Sequence, residues 1–321
     1  MNAAVVSAPG ALPRYGSFTD PLPAEGEKLI TVAAAGLHPV VKSLVSGTHY
    51  GTTGEFPFVP GIDGVGRLED GKRVYFGVAR KPFGTFAERA AAAEVMCLPL
   101  PDGISDETAA GIANPAMSSW VALTLRAKFV AGESVLILGA TGVAGQLAVQ
   151  IAKRLGARRV IAAGRNPQAL EKLRGLGADG TISLDQDRPA LVAAFRREWT
   201  ESGVDIVLDY LWGQPAESVL EAISQKGGLK IAVSRIRFIQ IGSSAGPIIS
   251  LPADVLRSSQ LELIGSGFGS ASFGQIWRGL GEFFREAAQR PFEFKVQVAP
   301  LRDVEALWNS TEKGARLVFQ P

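Results

Sequence analysis

Apolar and polar positions follow two rhythms along this chain. Through residue 112 the apolar residues come in short extended runs: L-I-T-V-A-A-A at 29–35, G-V-G-R-L-E at 64–69, R-V-Y-F-G-V at 73–78 and T-F-A-E-R-A-A-A at 85–92. Pro-Gly, Asp-Gly and Gly-Thr dipeptides separate them, and short runs punctuated in this way specify strands joined by turns. From about residue 113, strand-like apolar runs alternate with amphipathic stretches. Strands are expected at 134–138, 158–163, 181–184, 204–210 and 237–241, with helices near 143–155, 167–176, 187–199 and 214–224. That alternation builds a parallel sheet, because each parallel connection needs a crossover and a helix supplies it. The stretch 227–242 holds two strand-like runs, 229–234 and 237–241, and the second is favoured for the sheet. Beyond residue 255 the pattern mixes: an amphipathic helix near 273–289, an alternating strand at 292–298, a short helix near 302–309 and a final strand at 316–319. The expected architecture is α/β, with a doubly wound parallel sheet at 113–255 inserted into a discontinuous β-rich domain made of 1–112 and 256–321.

Composition narrows the partners. A length of 321 residues with 46% hydrophobic content supplies two cores. The 33 basic and 31 acidic residues leave a net charge of +2, and no run of five or six like charges marks a nucleic-acid arm or a polybasic membrane anchor. Small molecules are the expected partners. Cys97 is the only cysteine, so an internal disulfide and a cysteine-cluster zinc site are both excluded. Such sparing use of cysteine fits a reducing compartment, and M-N-A-A-V-V-S-A-P-G lacks the cationic start and unbroken apolar stretch of a signal peptide. A cytoplasmic location is expected. The most membrane-like stretch, 135–152, is broken by three glycines, Thr141 and two glutamines, which suits a strand and a helix better than a bilayer span.

The strongest chemical signal is S-V-L-I-L-G-A-T-G-V-A-G-Q-L-A-V-Q-I-A-K, where an apolar run ending at Leu138 passes through a glycine-rich turn directly into a helix. Laid on G-x-G-x-x-G, the turn places Ala140 first, followed by Thr141, Gly142, Val143, Ala144 and Gly145. Gly142 lets the backbone approach a pyrophosphate, and Gly145 lets the helix pack closely on its strand. The helix N-terminus adds free N–H groups and the positive end of its dipole. Because strand, loop, helix and second strand occur in order, a dinucleotide is expected rather than a glycine turn without a ligand. The second strand ends A-A-G-R-N and offers no carboxylate to a ribose hydroxyl. Arg165 instead presents a guanidinium fork that matches a 2′-phosphate, with Asn166 beside it, so NADPH is expected over NADH. The alternative for Arg165 is a solvated residue at a strand end; Lys172 reads as exposed on its helix.

With these residues in place, the chain resembles the medium-chain dehydrogenase/reductases, in their zinc-free quinone oxidoreductase-like branch. The resemblance runs in order through A-A-A-G-L-H-P-V-V-K, S-G-T-H-Y-G, F-P-F-V-P-G-I-D-G-V-G, G-T-F-A-E, N-P-A-M-S-S-W-V-A-L, the glycine loop, L-G-A-D and I-G-S-S-A-G. It implies a GroES-like domain built from both chain ends, a Rossmann domain between them, and a bound NADPH whose nicotinamide faces the substrate. By position it implies that Ser118 lies near the nicotinamide with Gly242 and Ser243 beside it, that Ser266, Gly267 and Phe268 close the same pocket, and that Tyr50 faces the substrate. It also implies a homodimer in which 261–266 joins an edge strand across a two-fold axis and extends the two Rossmann sheets; the alternative is an internally covered strand in a monomer. The chain departs from the branch at His38, where Asn is common, and at Val41, where Asp is common. Zinc-dependent relatives carry a cysteine near position 38 and Gly-His-Glu near 61–63, where this chain has His38 and Gly61-Ile62-Asp63. Catalytic zinc needs three protein donors, so no metal is expected.

The expected chemistry is hydride transfer from NADPH to a quinone or to the activated C=C of an α,β-unsaturated carbonyl compound. Tyr50 is the candidate proton donor, with a lid or packing role as its alternative. His38 and His49 are further titratable candidates, although a histidine before proline also serves to satisfy a backbone carbonyl. Cys97, in M-C-L-P-L, reads as an inert buried thiol. Asp209 and Trp212 either border the adenine or pack. Two rival functions remain: zinc-free carbonyl or alcohol oxidoreduction, and an NADPH-binding sensor without turnover.

Overall fold

The computed structural model describes residues 1–49, 51–52, 54–77, 79–224, 235–267, 269–310 and 314–321. The chain forms two compact units, one of Met1–Asn114 with Leu280–Pro321, the other of Pro115–Gly279.

The continuous unit is built on a six-stranded sheet in the order Gly180–Ser183, Arg159–Gly164, Ser134–Leu138, Ile206–Asp209, Ile236–Gln240, Leu261–Gly265, parallel throughout. This is the doubly wound order in which the chain reverses direction beside its first strand and opens a crevice there. Every residue of Ser134–Leu138 and Ile206–Asp209 is buried, as their unbroken apolar runs require of strands covered on both faces. Leu136, Ile161, Phe195, Val207, Leu220 and Phe238 form the core of this unit. The helices Val143–Arg154, Pro167–Gly175, Arg188–Glu201 and Gly213–Ile223 lie where the amphipathic stretches place them. Of the two competing strand-like runs, Ile236–Gln240 enters the sheet, and 229–234 lies outside the described residues.

One boundary differs from the sequence expectation. The discontinuous domain was expected to resume at 256, but the second crossing lies between Gly279 and Leu280. The reason is pairing: Leu261–Gly265 runs parallel to Ile236–Gln240 and adds a sixth strand, with helix Ala253–Ser258 preceding it. The sequence pattern also misses helix Asp106–Ala116 and the π-helical segment Met117–Arg126 that follows. Pro115 brings no N–H to the ladder, and the Ser118 and Ser119 hydroxyls both donate to its carbonyl, at 2.8 and 3.1 Å.

In the other unit the strand Glu27–Gly36 is the organiser, pairing antiparallel with Asp63–Leu68, Arg89–Ala93 and Ala315–Gln320. The strand expected at 85–92 begins only at Arg89, because the residues before it are engaged elsewhere: Phe86 N–H donates to Pro60 O and Ala87 bridges Ala3. Lys295–Pro300 joins Ala315–Gln320 in parallel, so both chain ends contribute to one sheet. The helix Pro39–Val45, unanticipated from the sequence, opens directly after His38 with Pro39 in its first turn.

Candidate functional site

The turn after Ser134–Leu138 is held from below by two backbone bonds, Gly139 N–H and Ala140 N–H to Ala163 O at 3.0 and 2.9 Å. Gly139 has φ +83°, so the left-handed residue precedes Ala140, the position aligned with the motif's first glycine. Gly145 is required for another reason. A Cβ there would lie 2.3 Å from Gly139 O and 2.5 Å from the Ala140 Cα, so only glycine lets helix Val143–Arg154 sit on the turn. Gly164 likewise leaves room for Thr141, whose Cγ2 would be 2.5 Å from an added Cβ. Gly142 caps the helix without any side-chain hydrogen bond, and its first turn carries no acidic residue. The N–H groups of Val143, Ala144 and Gly145 therefore have no carbonyl within the helix and remain available to an anion.

The neighbouring strand ends at Gly164, and Arg165 follows, exposed and without a hydrogen bond or ion pair among the described residues. Asn166, expected to assist it, has a structural task first: its Oδ1 accepts from Ala169 N–H at 2.9 Å and caps helix Pro167–Gly175.

Across the crevice, Asp209 ends its strand fully buried. Its Oδ1 accepts from Leu211 N–H at 2.8 Å and from Trp212 N–H at 3.0 Å, and Trp212 adopts φ +57°. Burial pushes the Asp209 carboxyl up to about 6, although those two N–H bonds pull it down. The Tyr210 hydroxyl, pushed up to about 12 by burial, donates to Ser118 O at 3.4 Å, which ties Ser118 to the strand-end loop. Gly242 N–H donates to Asp209 O at 3.0 Å, and a Cβ on Gly242 would lie 2.7 Å from Tyr210 O. Ser243 is exposed beside it, and Ser244 Oγ donates to Tyr210 O at 3.1 Å. Ser266 N–H donates to Gln240 O at 2.8 Å, and Gly267 follows, exposed. The structure thus places 139–145, 165–166, 209–212, 242–244 and 266–267 together at the carboxyl ends of one parallel sheet, with Ser118 attached through Tyr210. Tyr50 and Phe268 lie outside the described residues. Sequence reasoning missed Gly139, Gly164 and Tyr210; the run D-Y-L-W-G directly after an apolar strand was the available signal.

The fit to a dinucleotide is specific. Two glycines stand where a Cβ would strike the turn, the helix N-terminus has no side-chain cap, and an arginine without an ion pair among the described residues follows the second strand.

The β-rich unit holds the remaining candidates. His38 is buried with Nε2 3.1 Å from Asp63 Oδ1, close enough for charge attraction though not aligned for a hydrogen bond. Tyr75 donates its hydroxyl to Asp63 Oδ2 at 2.7 Å, and Thr85 Oγ1 donates to Asp63 O at 2.8 Å. Arg316, buried on strand Ala315–Gln320, donates to Leu37 O at 3.0 Å. Burial lowers the His38 imidazole, against the pull of Asp63, and brings Arg316 down to about 10. His38 is therefore a member of a buried polar cluster and not simply a histidine facing a carbonyl. His49 Nδ1 accepts from Gly51 N–H at 3.0 Å. Cys97 donates to Ala93 O, and burial pushes its thiol up to about 11, as suits an inert side chain. Among the described residues no three His, Cys, Asp or Glu side chains are grouped to hold a metal ion.

A family model described as zinc-binding dehydrogenase matches residues 143–285, a stretch that contains neither histidine nor the cysteine of this chain. A probable NADPH-dependent quinone reductase of Emericella nidulans is 28% identical, with 100% of both chains covered. A quinone oxidoreductase of Lama guanicoe is 30% identical over 77% of this chain and 73% of its own. Among solved structures, the quinone oxidoreductase of Thermus thermophilus, determined alone and with NADPH, is 28% identical, covers 100% of both chains and superposes with a TM-score of 0.78.

Proposed function

Because the chain belongs to the medium-chain dehydrogenase/reductase superfamily, in its zinc-free quinone oxidoreductase-like branch, we propose that it is an NADPH-dependent reductase of quinones or of the activated C=C of α,β-unsaturated carbonyl compounds. The observation that carries this reading is the glycine cradle followed by Arg165. Gly142, Gly145 and the bare N–H groups of 143–145 receive the pyrophosphate, and Arg165 receives the 2′-phosphate that distinguishes NADPH from NADH. When bound, the cofactor supplies the hydride, and conjugation in the acceptor supplies the electron demand that a metal would otherwise create. Ser118, Gly242, Ser243, Ser266 and Gly267 line the nicotinamide end in this reading, with Phe268 closing it and Tyr50 returning the proton.

Product analysis with deuterated NADPH tests the reaction. Deuterium on the β-carbon of an enone, with saturated ketones untouched, is the expected result; label confined to a carbinol carbon establishes carbonyl reduction instead. Binding of NADPH without turnover across quinones and enones points to a sensor.

The reading extends to assembly and place. Leu261–Gly265 is the outermost strand of the described sheet, with Leu263 exposed, and an open apolar edge of this kind is a hazard unless another strand covers it. A homodimer joined along this edge is the proposal, and light scattering at micromolar concentration decides it against a monomer. A cytoplasmic location accords with the lone cysteine.

A further inference from the structure

Asp209 stands directly across the parallel pair from Leu138, the last residue before the glycine turn. The two loops touch: a Cβ on Gly139 would lie 3.0 Å from Leu211 Cδ2 and 3.4 Å from Tyr210 Cβ. One oxygen of Asp209 is committed to Leu211 N–H and Trp212 N–H, and the other, Oδ2, is buried without a hydrogen-bond partner among the described residues. Among those residues no cation compensates it. Its strand neighbours are Leu138 on one side and Gln240 on the other, Tyr210 directs its hydroxyl to Ser118 O, and Glu217 and Glu221 on the following helix are paired with Arg188. The charged form is opposed by burial and supported only by two backbone N–H groups.

Phosphate groups bound at the adjacent turn would make that charge still more costly, since like charges disfavour ionisation. We propose that Asp209 takes up a proton when the dinucleotide binds, so that this one side chain couples the cofactor site to pH. The proton adds to Oδ2, the oxygen without a partner, and Oδ1 keeps both N–H bonds as a carbonyl oxygen. The turn that holds Trp212 is therefore preserved in both protonation states, and no redox change is involved. The proposal rests on the dinucleotide reading of the site.

Calorimetric titration of the full chain with NADPH, in two buffers of different ionisation enthalpy, counts the protons exchanged. The 2′-phosphate titrates near pH 6 as well, so the quantity read is the difference between the wild type and Asp209→Asn, which retains the Oδ1 acceptor and cannot ionise. If binding raises the carboxyl by about one unit, the wild type takes up about 0.4 proton more than the variant at pH 7. Relative to the variant, its affinity then rises about fivefold between pH 8 and pH 6. Equal proton counts with binding intact overturn the proposal and leave the cofactor reading standing, whereas absence of binding to the wild type overturns both. A measurement on the wild type alone covers a variant that fails to fold. The infrared difference between bound and free protein should gain a protonated-carboxyl carbonyl band, and its absence overturns the proposal.

Discussion

Around His38 in the β-rich unit the buried ionisable groups stand beside groups of opposite charge, whereas at the strand ends of the parallel-sheet unit the described ones stand without such a counterpart. Asp63 accepts from Tyr75 at 2.7 Å, stands 3.1 Å from the imidazole of His38 and supports the charge of Arg316. Among the described residues of the other unit, Arg165 makes no ion pair, the helix capped by Gly142 has no side-chain hydrogen bond at its N-terminus, and Asp209 Oδ2 has no hydrogen-bond partner. Charges that offset one another within a cluster specify how its own strands pack. Unspent donors gathered at one sheet end are what an anionic ligand needs to find already in place.

The largest effect should come from removing the centre of the charge-paired cluster. Asp63→Ala leaves the Tyr75 hydroxyl without its acceptor and Arg316 without its opposing charge, and breaking a buried pair in this way costs about 3–5 kcal/mol. Chemical denaturation followed by domain-resolved hydrogen exchange should show that loss in the β-rich unit. An undiminished midpoint would mean that the cluster is solvated and the contrast between the units is false.

Gly145→Val attacks the open site instead. Its side chain must displace backbone at 2.3 Å, an overpacking that costs about 1–3 kcal/mol, and here the loss should appear as weaker NADPH binding in a fluorescence titration. Arg165→Ala is milder and more selective: NADPH affinity should fall about tenfold, the equivalent of roughly 1.4 kcal/mol, with NADH unaffected. Equal losses for both cofactors would remove Arg165 from the 2′-phosphate.

The smallest effect is the one that separates the units by sign. The His38 imidazole is lowered below 6.5 by burial, so below that pH the unfolded chain takes up a proton that the folded β-rich unit refuses, and this unit loses stability as pH falls. The Asp209 carboxyl is raised from 3.8 to about 6, so the folded parallel-sheet unit takes up its proton first and gains stability as pH falls from 6 toward 3.8. Hydrogen exchange at pH 7 and pH 5.5 should show protection moving in opposite directions in the two units. His38→Gln should flatten the first change and Asp209→Asn the second.

Much of the parallel-sheet unit was legible because its signals are local. Apolar runs of strand length, amphipathic stretches of helix length and a glycine turn between them place Ser134–Leu138, Val143–Arg154 and Arg159–Gly164 within a few neighbouring residues of one another. Helix Phe273–Gln289 was equally clear from its apolar stripe. The domain boundary read at 256 leaves L-E-L-I-G at 261–265 outside this unit, while the dimer implied by the resemblance has it extend the Rossmann sheets; a five-residue apolar run does not say which sheet it joins, and its partner Ile236–Gln240 does. The site divided in the same way. Gly142, Gly145 and Arg165 follow from spacing along the chain, but the role of Asn166 as a cap and the left-handed turn at Trp212 depend on hydrogen bonds that spacing does not reveal.

By itself, the sequence determined that the chain alternates strands and helices around a glycine turn, that an arginine rather than a carboxylate ends the second strand, and that one cysteine and two histidines are all it offers a soft metal. Tertiary structure alone decided where the charges stand. His38 meets Asp63, and Leu37 O accepts from Arg316 279 residues away; Tyr210 reaches Ser118 across 92. Propensity and periodicity act over a turn or a strand and are written in consecutive residues. Burial and electrostatic environment depend on which distant segments fold against a side chain, and only those contacts separate a packed histidine from a base and a structural aspartate from one poised to take up a proton.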